Sequence, residues 1–313
     1  VGIVAQVAPP NVSSVGIILA GADTSQFLQF LFSGLTAGSI YALIAVSLVI
    51  VYKVSLLICF AQGEFFVIGA LTMVTLVSKG VPMPLAFPIA VVVTAALGAV
   101  AERVLIRPLR NSGVGTLIVM TVAISLTLRG SAMLIWGKES HVLPPFSSSH
   151  PIGILGATLQ AQVLWIVGIT CVVLAAIWLF FEKTALGIAV RACAENPLGA
   201  SLMGISTGKA TLFSWAWGSA IGALAGCAVS PLLFMQYTSG VMPMVKGFIA
   251  MSIGGLASIA GAVVAGYLLG VAEAYAIGLV SSQFSDSLVF TILILVLLLR
   301  PNGLFGGAKR RDV

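Results

Sequence analysis

Glu64, Arg129 and Glu273 each interrupt a long run of apolar residues. A charge in such a setting is costly and marks a solute route, a proton relay or a paired partner. Two readings fit. In one, Glu64 and its neighbours Gln62 and Gly63 line a route for a solute. In the other, Glu64 or Glu273 pairs with Arg129 and fixes helix packing. A second concentration of polar residues is "RACAENPLGASLMGI", Arg191 to Ile205. Its punctuation predicts a short helix, Pro197–Met203, with Asn196 as N-cap, Pro197 at the first helical position and Gly204 as the stop. That is about two turns, roughly 10 Å. Leu198, Leu202 and Ile205 fall at i, i+4 and i+7 and predict one apolar edge. A helix this short does not persist alone in water, so it docks on its own bundle or in a partner's groove.

Other chemistries lack their residues. No GxxxxGK[ST] phosphate loop is present, so the chain is not expected to hydrolyse ATP. No HExxH pair occurs, and no serine–histidine grouping favours a hydrolase. Cys59, Cys171, Cys193 and Cys227 stand singly, without zinc or redox spacing. His141 and His150 share one polar link and make a poor metal site. The expectation is a protein that is not an enzyme, with no catalytic residues, no metal and no cofactor of its own.

The elements that position these residues follow from composition. Apolar residues make up 59% of the 313 and charged residues 8%, with mean hydropathy +1.15. A soluble domain is usually about a quarter charged, so lipid must cover most of this surface. The 34 glycines suit close helix packing in a bilayer. The net charge of +6 does not indicate nucleic acid, because the basic residues lie mainly in short links between apolar runs. Those runs fall near 28–51, 55–78, 83–105, 114–135, 162–181, 210–230, 247–280 and 287–299. Each approaches the roughly 20 residues a spanning helix needs, and segments of alternating polarity, as in a β-barrel, are lacking. The fold class is therefore an all-α polytopic membrane protein with eight to ten spans, in one transmembrane domain over 1–313. Residues 1–27 form an N-terminal arm or an extra helix, and 182–209 a long link.

Lys53, the Arg103–Arg107–Arg110 group, Lys183, Arg191 and Lys209, and the C-terminal Arg300, Lys309, Arg310 and Arg311 are eleven of the fifteen basic residues. They fall on one side when the C-terminus is cytoplasmic. Parity then requires 247–280 to be two pieces, and "IGGLASIAGA", Ile253 to Ala262, is the predicted break. Interrupted helices of this kind often line transport routes, and a glycine-rich packing face explains the pattern as well. Glu102, Arg103, Arg107 and Arg110 form a basic link that touches a cytoplasmic partner or anchors at anionic head groups. Trp136, Trp165 and Tyr237 near span ends read as interfacial anchors.

Six ordered motifs make the chain resemble the permease of branched-chain amino acid ATP-binding-cassette importers. They are "GLTAGSIYALIA" (34–45), "FAQGEFFVIGA" (60–70), "ERVLIRPLR" (102–110), "RACAENPLGASLMGI" (191–205), "GGLASIAGAVVAGYLLGVAEA" (254–274) and "RPNGLFG" (300–306). The resemblance covers about Phe32 to Gly306. It implies a type II importer-like bundle with a broken or re-entrant helix in a bacterial inner membrane. The implied cargo is branched-chain amino acids, or urea, amides or aromatic acids in related systems. The implied partners are a second permease of related fold, two cytoplasmic ATPases holding ATP and magnesium, and a periplasmic solute-binding protein. The family's ATPase-coupling role carries onto Arg191, Ala192, Glu195, Asn196, Ala200, Leu202, Gly204 and Ile205. Gln62, Gly63, Glu64, Gly254 and Gly255 are the expected solute route. One departure is Gln62, where the family often has histidine. An ion-coupled secondary transporter with Glu64 and Glu273 as coupling acids is the rival from another class.

Overall fold

The computed structural model describes residues 24–110, 112–147, 152–154, 157–279, 283 and 285–305. Most of the expected N-terminal arm, His150 and the last basic residues lie outside that set.

The first apolar run becomes α1 (Thr24–Ser55), 32 residues long. Leu56, with φ 55°, opens the corner into α2 (Gln62–Ser78). The second span thus begins later than the apolar run at 55 suggests. α3 (Met83–Ala101) continues through a π turn, Glu102–Ile106, and a 3-10 turn, Arg107–Leu109. α4 (Val114–Trp136) precedes a small antiparallel hairpin of β1 (Ile152–Ile154) and β2 (Ala157–Leu159). α5 (Ala161–Lys183) leads into two short helices, α6 (Ala185–Glu195) and α7 (Pro197–Leu202). α8 (Thr207–Val229), α9 (Val241–Gly254), α10 (Ile259–Leu279) and α11 (Ser285–Leu299) complete the described chain.

Among the described residues, six helices are long and apolar enough to cross a membrane: α1, α3 with its extension, α4, α5, α8 and α10. The helices α2, α9 and α11 are apolar but shorter. The most apolar stretch of α1 is 83% buried, whereas those of α3, α4 and α5 are only 17–22% buried. A helix apolar on all sides and enclosed by others belongs at the bundle centre, and one apolar but uncovered faces lipid. So α1 is the axis, and α3, α4 and α5 form part of the rim. Small residues bring α10 close to α1: a Cβ at Gly38 would sit 2.9 Å from the Cα of Tyr267. Backbones this near gain dispersion contacts that lipid tails cannot replace.

The run 247–280 divides as parity requires, into α9 and α10 with a turn between Gly254 and Ile259. Gly247 packs on Ile44, which brings the C-terminus of α9 level with the last turn of α1. The break therefore lies at one end of the bundle. Lys53, Arg107 and Arg191 gather at that same end. Arg107 reaches the first turn of α8 beside Gly208, and Lys53 feels the charges of Arg191 and Glu195.

Candidate functional site

Three groups of residues carry polar chemistry, and each belongs to a different level of the bundle.

The first is at the start of α2. Glu64 is 2% exposed, and its Oε1 accepts hydrogen bonds from Arg129 Nε at 3.0 Å and Ser125 Oγ at 3.1 Å, both on α4. The second arm of the Arg129 guanidinium closes on the same oxygen. Of the two sequence alternatives for Arg129, the structure selects Glu64. Gln62 beside it is buried, and neither amide atom has a hydrogen-bond partner among the described residues; a Cβ at Gly218 would sit 2.9 Å from its Nε2. Gly63 lies against Gly240 at the start of α9.

The second group was only half visible in sequence. Glu273 on α10 pairs with Lys246 on α9, Nζ to Oε1 2.6 Å, and accepts the Tyr41 hydroxyl of α1 on Oε2 at 2.8 Å. Lys246 also reaches Asp286 in the first turn of α11 at 2.8 Å. One lysine thus ties three helices, and a tyrosine adds the fourth. Sequence reasoning assigned Lys246 no role, because it falls in the link just before the apolar run 247–280 that holds Glu273. Tyr41 also lines a cavity of about 770 Å³ at the end opposite the basic one. Its walls include Thr36, Ile40, Phe66, Leu232 and Pro243. Six helices contribute to it, so no sequence window contains its pattern.

Gly254 and Gly255 do not join the Gln62–Glu64 group. They sit at the far end of α9 from Gly240, about 21 Å away along a 14-residue helix. There the segment after α11 closes over the broken ladder: Leu304 N–H donates to Ile253 O at 2.7 Å and Phe305 N–H to Gly254 O at 3.2 Å. Gly255 and Gly303 adopt φ of 103° and 78°, and a Cβ at Gly303 would sit 2.7 Å from Gly255 N, so Gly303 has no room for a side chain. The "RPNGLF" residues are a cap for the last carbonyls of α9.

The third group is the long link at the basic end. Asn196 caps α7, accepting Gly199 N–H at 2.8 Å, and Gly204 ends it with φ 79°. Ile205 N–H returns to Ala200 O at 2.9 Å. Ala200 and Cys193 pack with Val190 and Ala210, with Ile205 and Ala192 beside them, so the link is anchored on the bundle. Burial pushes the Cys193 thiol pKa up. Leu198, Leu202 and Met203 stay 72–83% exposed. The apolar edge differs from the sequence pattern: Ile205 folds inward, and Met203 takes its place outside. Sequence reasoning also missed α6, which holds Arg191, Ala192 and Glu195. Thr184 was the available signal, since its side chain caps α6 by accepting Gly187 N–H at 3.0 Å. Arg191 returns to Glu182 at 2.7 Å, bracing α6 on α5.

A family described as branched-chain amino acid transport system, permease component, matches residues 30–299. The chain is 35% identical to the high-affinity branched-chain amino acid transport system permease protein BraD of Pseudomonas aeruginosa, over 90% of this chain and 96% of that one. It is 34% identical to the permease protein LivH of Escherichia coli K12, with the same coverage. Among solved structures, PsaBC from Streptococcus pneumoniae in complex with Fab aligns with a TM-score of 0.50 at 13% identity, covering 92% of this chain and 97% of that one. That last likeness concerns the fold alone.

Proposed function

The chain belongs to the family of branched-chain amino acid transport permeases, and from that premise we propose that it is the membrane-spanning subunit of an ATP-driven importer of branched-chain amino acids or closely related solutes. The observation that carries the ATP-driven part is α7. It is a capped helix, docked on the bundle, that still presents Leu198, Leu202 and Met203 to the outside. Exposed apolar clusters of this sort mark protein contacts, and a short helix laid in a hydrophobic groove is a recurrent way to make one.

On this reading the basic end faces the cytoplasm, as the positive-inside rule expects. The nine apolar helices then cross in alternation, within the eight to ten spans of a type II importer-like bundle. Arg191, Ala192, Glu195, Asn196, Ala200, Leu202, Gly204 and Ile205 build the piece that two ATPases move when they bind ATP and magnesium. A second permease of related fold and a periplasmic solute-binding protein complete the machine in an inner membrane. The cavity beside Tyr41 opens toward the binding protein. Its apolar walls, with hydroxyl and amide groups among them, suit a small amphipathic solute. Gln62, Gly63 and Glu64 lie deeper, below Phe66 of its lining. Their place on the route rests on their buried polar atoms.

The test is uptake. The permease, reconstituted with its associated subunits and binding protein, should accumulate radiolabelled leucine, isoleucine or valine only when ATP is supplied. ATP-independent uptake driven by a proton or sodium gradient would overturn the reading. ATP-driven uptake of urea or amides without leucine would replace the cargo.

A further inference from the structure

At the basic end, four helices that reach the membrane boundary leave a cavity of about 400 Å³ between their tips. Ser55 closes α1, Arg107 and Arg110 follow α3, Leu117 lies in the first turn of α4, and Thr207 and Gly208 open α8. Because α1, α3, α4 and α8 are all long enough to span, the place where they end together is the level of the lipid head groups.

The groups in this cavity are unusual in what they lack. Glu102 lines it and is 2% exposed, yet its Oε2 has no hydrogen-bond partner among the described residues. No guanidinium of Arg107 or Arg110 lies within ion-pair distance of a carboxylate among the described residues. Thr207 and Gly208 in the first turn of the 23-residue α8 border the same space, with the Ser206 hydroxyl capping Lys209 N–H, and Arg107 lies next to Gly208. Two arginines beside a helix N-terminus form a phosphate-binding arrangement. The buried Glu102 Oε2, without a donor among the described residues, requires one. The occupant must therefore present an anionic oxygen and a hydrogen-bond donor together, a short distance apart.

We infer that this cavity binds one phospholipid through a phosphodiester head group bearing a primary ammonium. The phosphate sits against Arg107, Arg110 and the first turn of α8, and the ammonium turns toward Glu102. Val104 and Val114, 60% and 61% exposed, flank the ends of α3 and α4 and continue as apolar surface for the acyl chains. The sparse burial of α3 and α4 leaves the cavity a side open to the bilayer. Pro197 of α7 forms part of the wall, so a bound lipid would brace the link that carries Leu198 and Leu202.

The experiment uses the full chain, purified with its associated subunits from nanodiscs of equal parts phosphatidylethanolamine, phosphatidylglycerol and phosphatidylcholine. After detergent washing, retained lipid is counted by native mass spectrometry. Phosphatidylethanolamine should be retained about tenfold over phosphatidylcholine, whose trimethylated nitrogen cannot donate; that is the ratio one charge-assisted hydrogen bond confers. Glu102→Gln should abolish this preference and leave total retention. Arg107→Gln with Arg110→Gln should remove the retained lipid altogether. Arg103→Gln, a neighbouring charge outside the cavity, should change nothing and shows that the subunit still folds. Equal retention of all three lipids by the wild type overturns the proposal, as does undiminished retention by the double variant. A double variant that keeps its lipid but loses the ATPase identifies the cavity as a protein socket instead. Preference for phosphatidylglycerol would assign it to phosphate and hydroxyl recognition and overturn the ammonium.

Discussion

At the residue scale, the buried Glu64 is the clearest case of a charge whose partner the sequence could name only as alternatives. Its carboxylate takes three donor groups from α4. Removing one member of a buried pair leaves the other charge without compensation, which costs about 3–5 kcal/mol, whereas replacing both with apolar groups is often neutral. Arg129 keeps 28% of its side chain exposed, so the lower end of that range applies. Glu64→Leu should therefore lower the melting temperature of the detergent-purified subunit markedly, and Glu64→Leu with Arg129→Leu should recover most of it. Uptake by the double variant then separates two roles. A stable subunit that no longer transports would show that the charge itself is used by the solute, and a stable, active one that the pair only holds α2 to α4. A double variant no more stable than the single would argue against the pairing.

At the element scale, two short segments decide how the basic end works. Leu202 is 80% exposed on α7, so Leu202→Asp removes no core packing. It would instead place a charge in the groove that receives the helix, where desolvation is costly. The variant should insert and fold normally, yet lose co-purifying ATPase and transport-coupled hydrolysis. Normal ATPase recovery together with normal uptake would reject α7 as the contact. The other segment is the cap after α11. Gly303, at φ 78°, lies against Gly255 and Ser252 O. Gly303→Ala adds left-handed strain of about 1–2 kcal/mol and a steric overlap. It should free the segment after Arg300, seen as faster cleavage there in limited proteolysis. Cleavage no faster than in the wild type would mean that the cap contributes little. α6 was not legible as a helix, because its eleven residues fall inside the long link 182–209 and are too few to span; the Thr184 cap was its one local mark.

At the scale of the whole molecule, alternation of the helices gives a definite topology. Ser112 precedes α4 and Ser140 follows it, both exposed, with a 23-residue helix of about 34 Å between them. Single cysteines at these two positions, in a background without Cys59, Cys171, Cys193 and Cys227, should label from opposite sides of intact cells. Ser140→Cys should react with an impermeant maleimide, and Ser112→Cys only after permeabilisation. The reverse result would invert the orientation proposed here, and labelling of both from outside would break the alternation itself.

Composition and the spacing of apolar runs determined that this chain is a helical membrane bundle, because a bilayer tolerates little else when so few residues are charged. Basic residues in the links determined which helix ends lie together, and parity forced 247–280 into two helices. The punctuation around Asn196 and Gly204 determined α7, since capping is a local property of the backbone. Tertiary structure alone decided the rest. Which acid meets which base depends on the rotation of each helix about its axis, and a helix apolar on every side carries no periodic mark of that rotation. So the Glu64–Arg129 pair, the Lys246 tie and the inward turn of Ile205 became visible only in three dimensions. The level of the 254–258 break was likewise undetermined. It is set by where Gly247 meets Ile44 and by a C-terminal segment that returns to hydrogen-bond it.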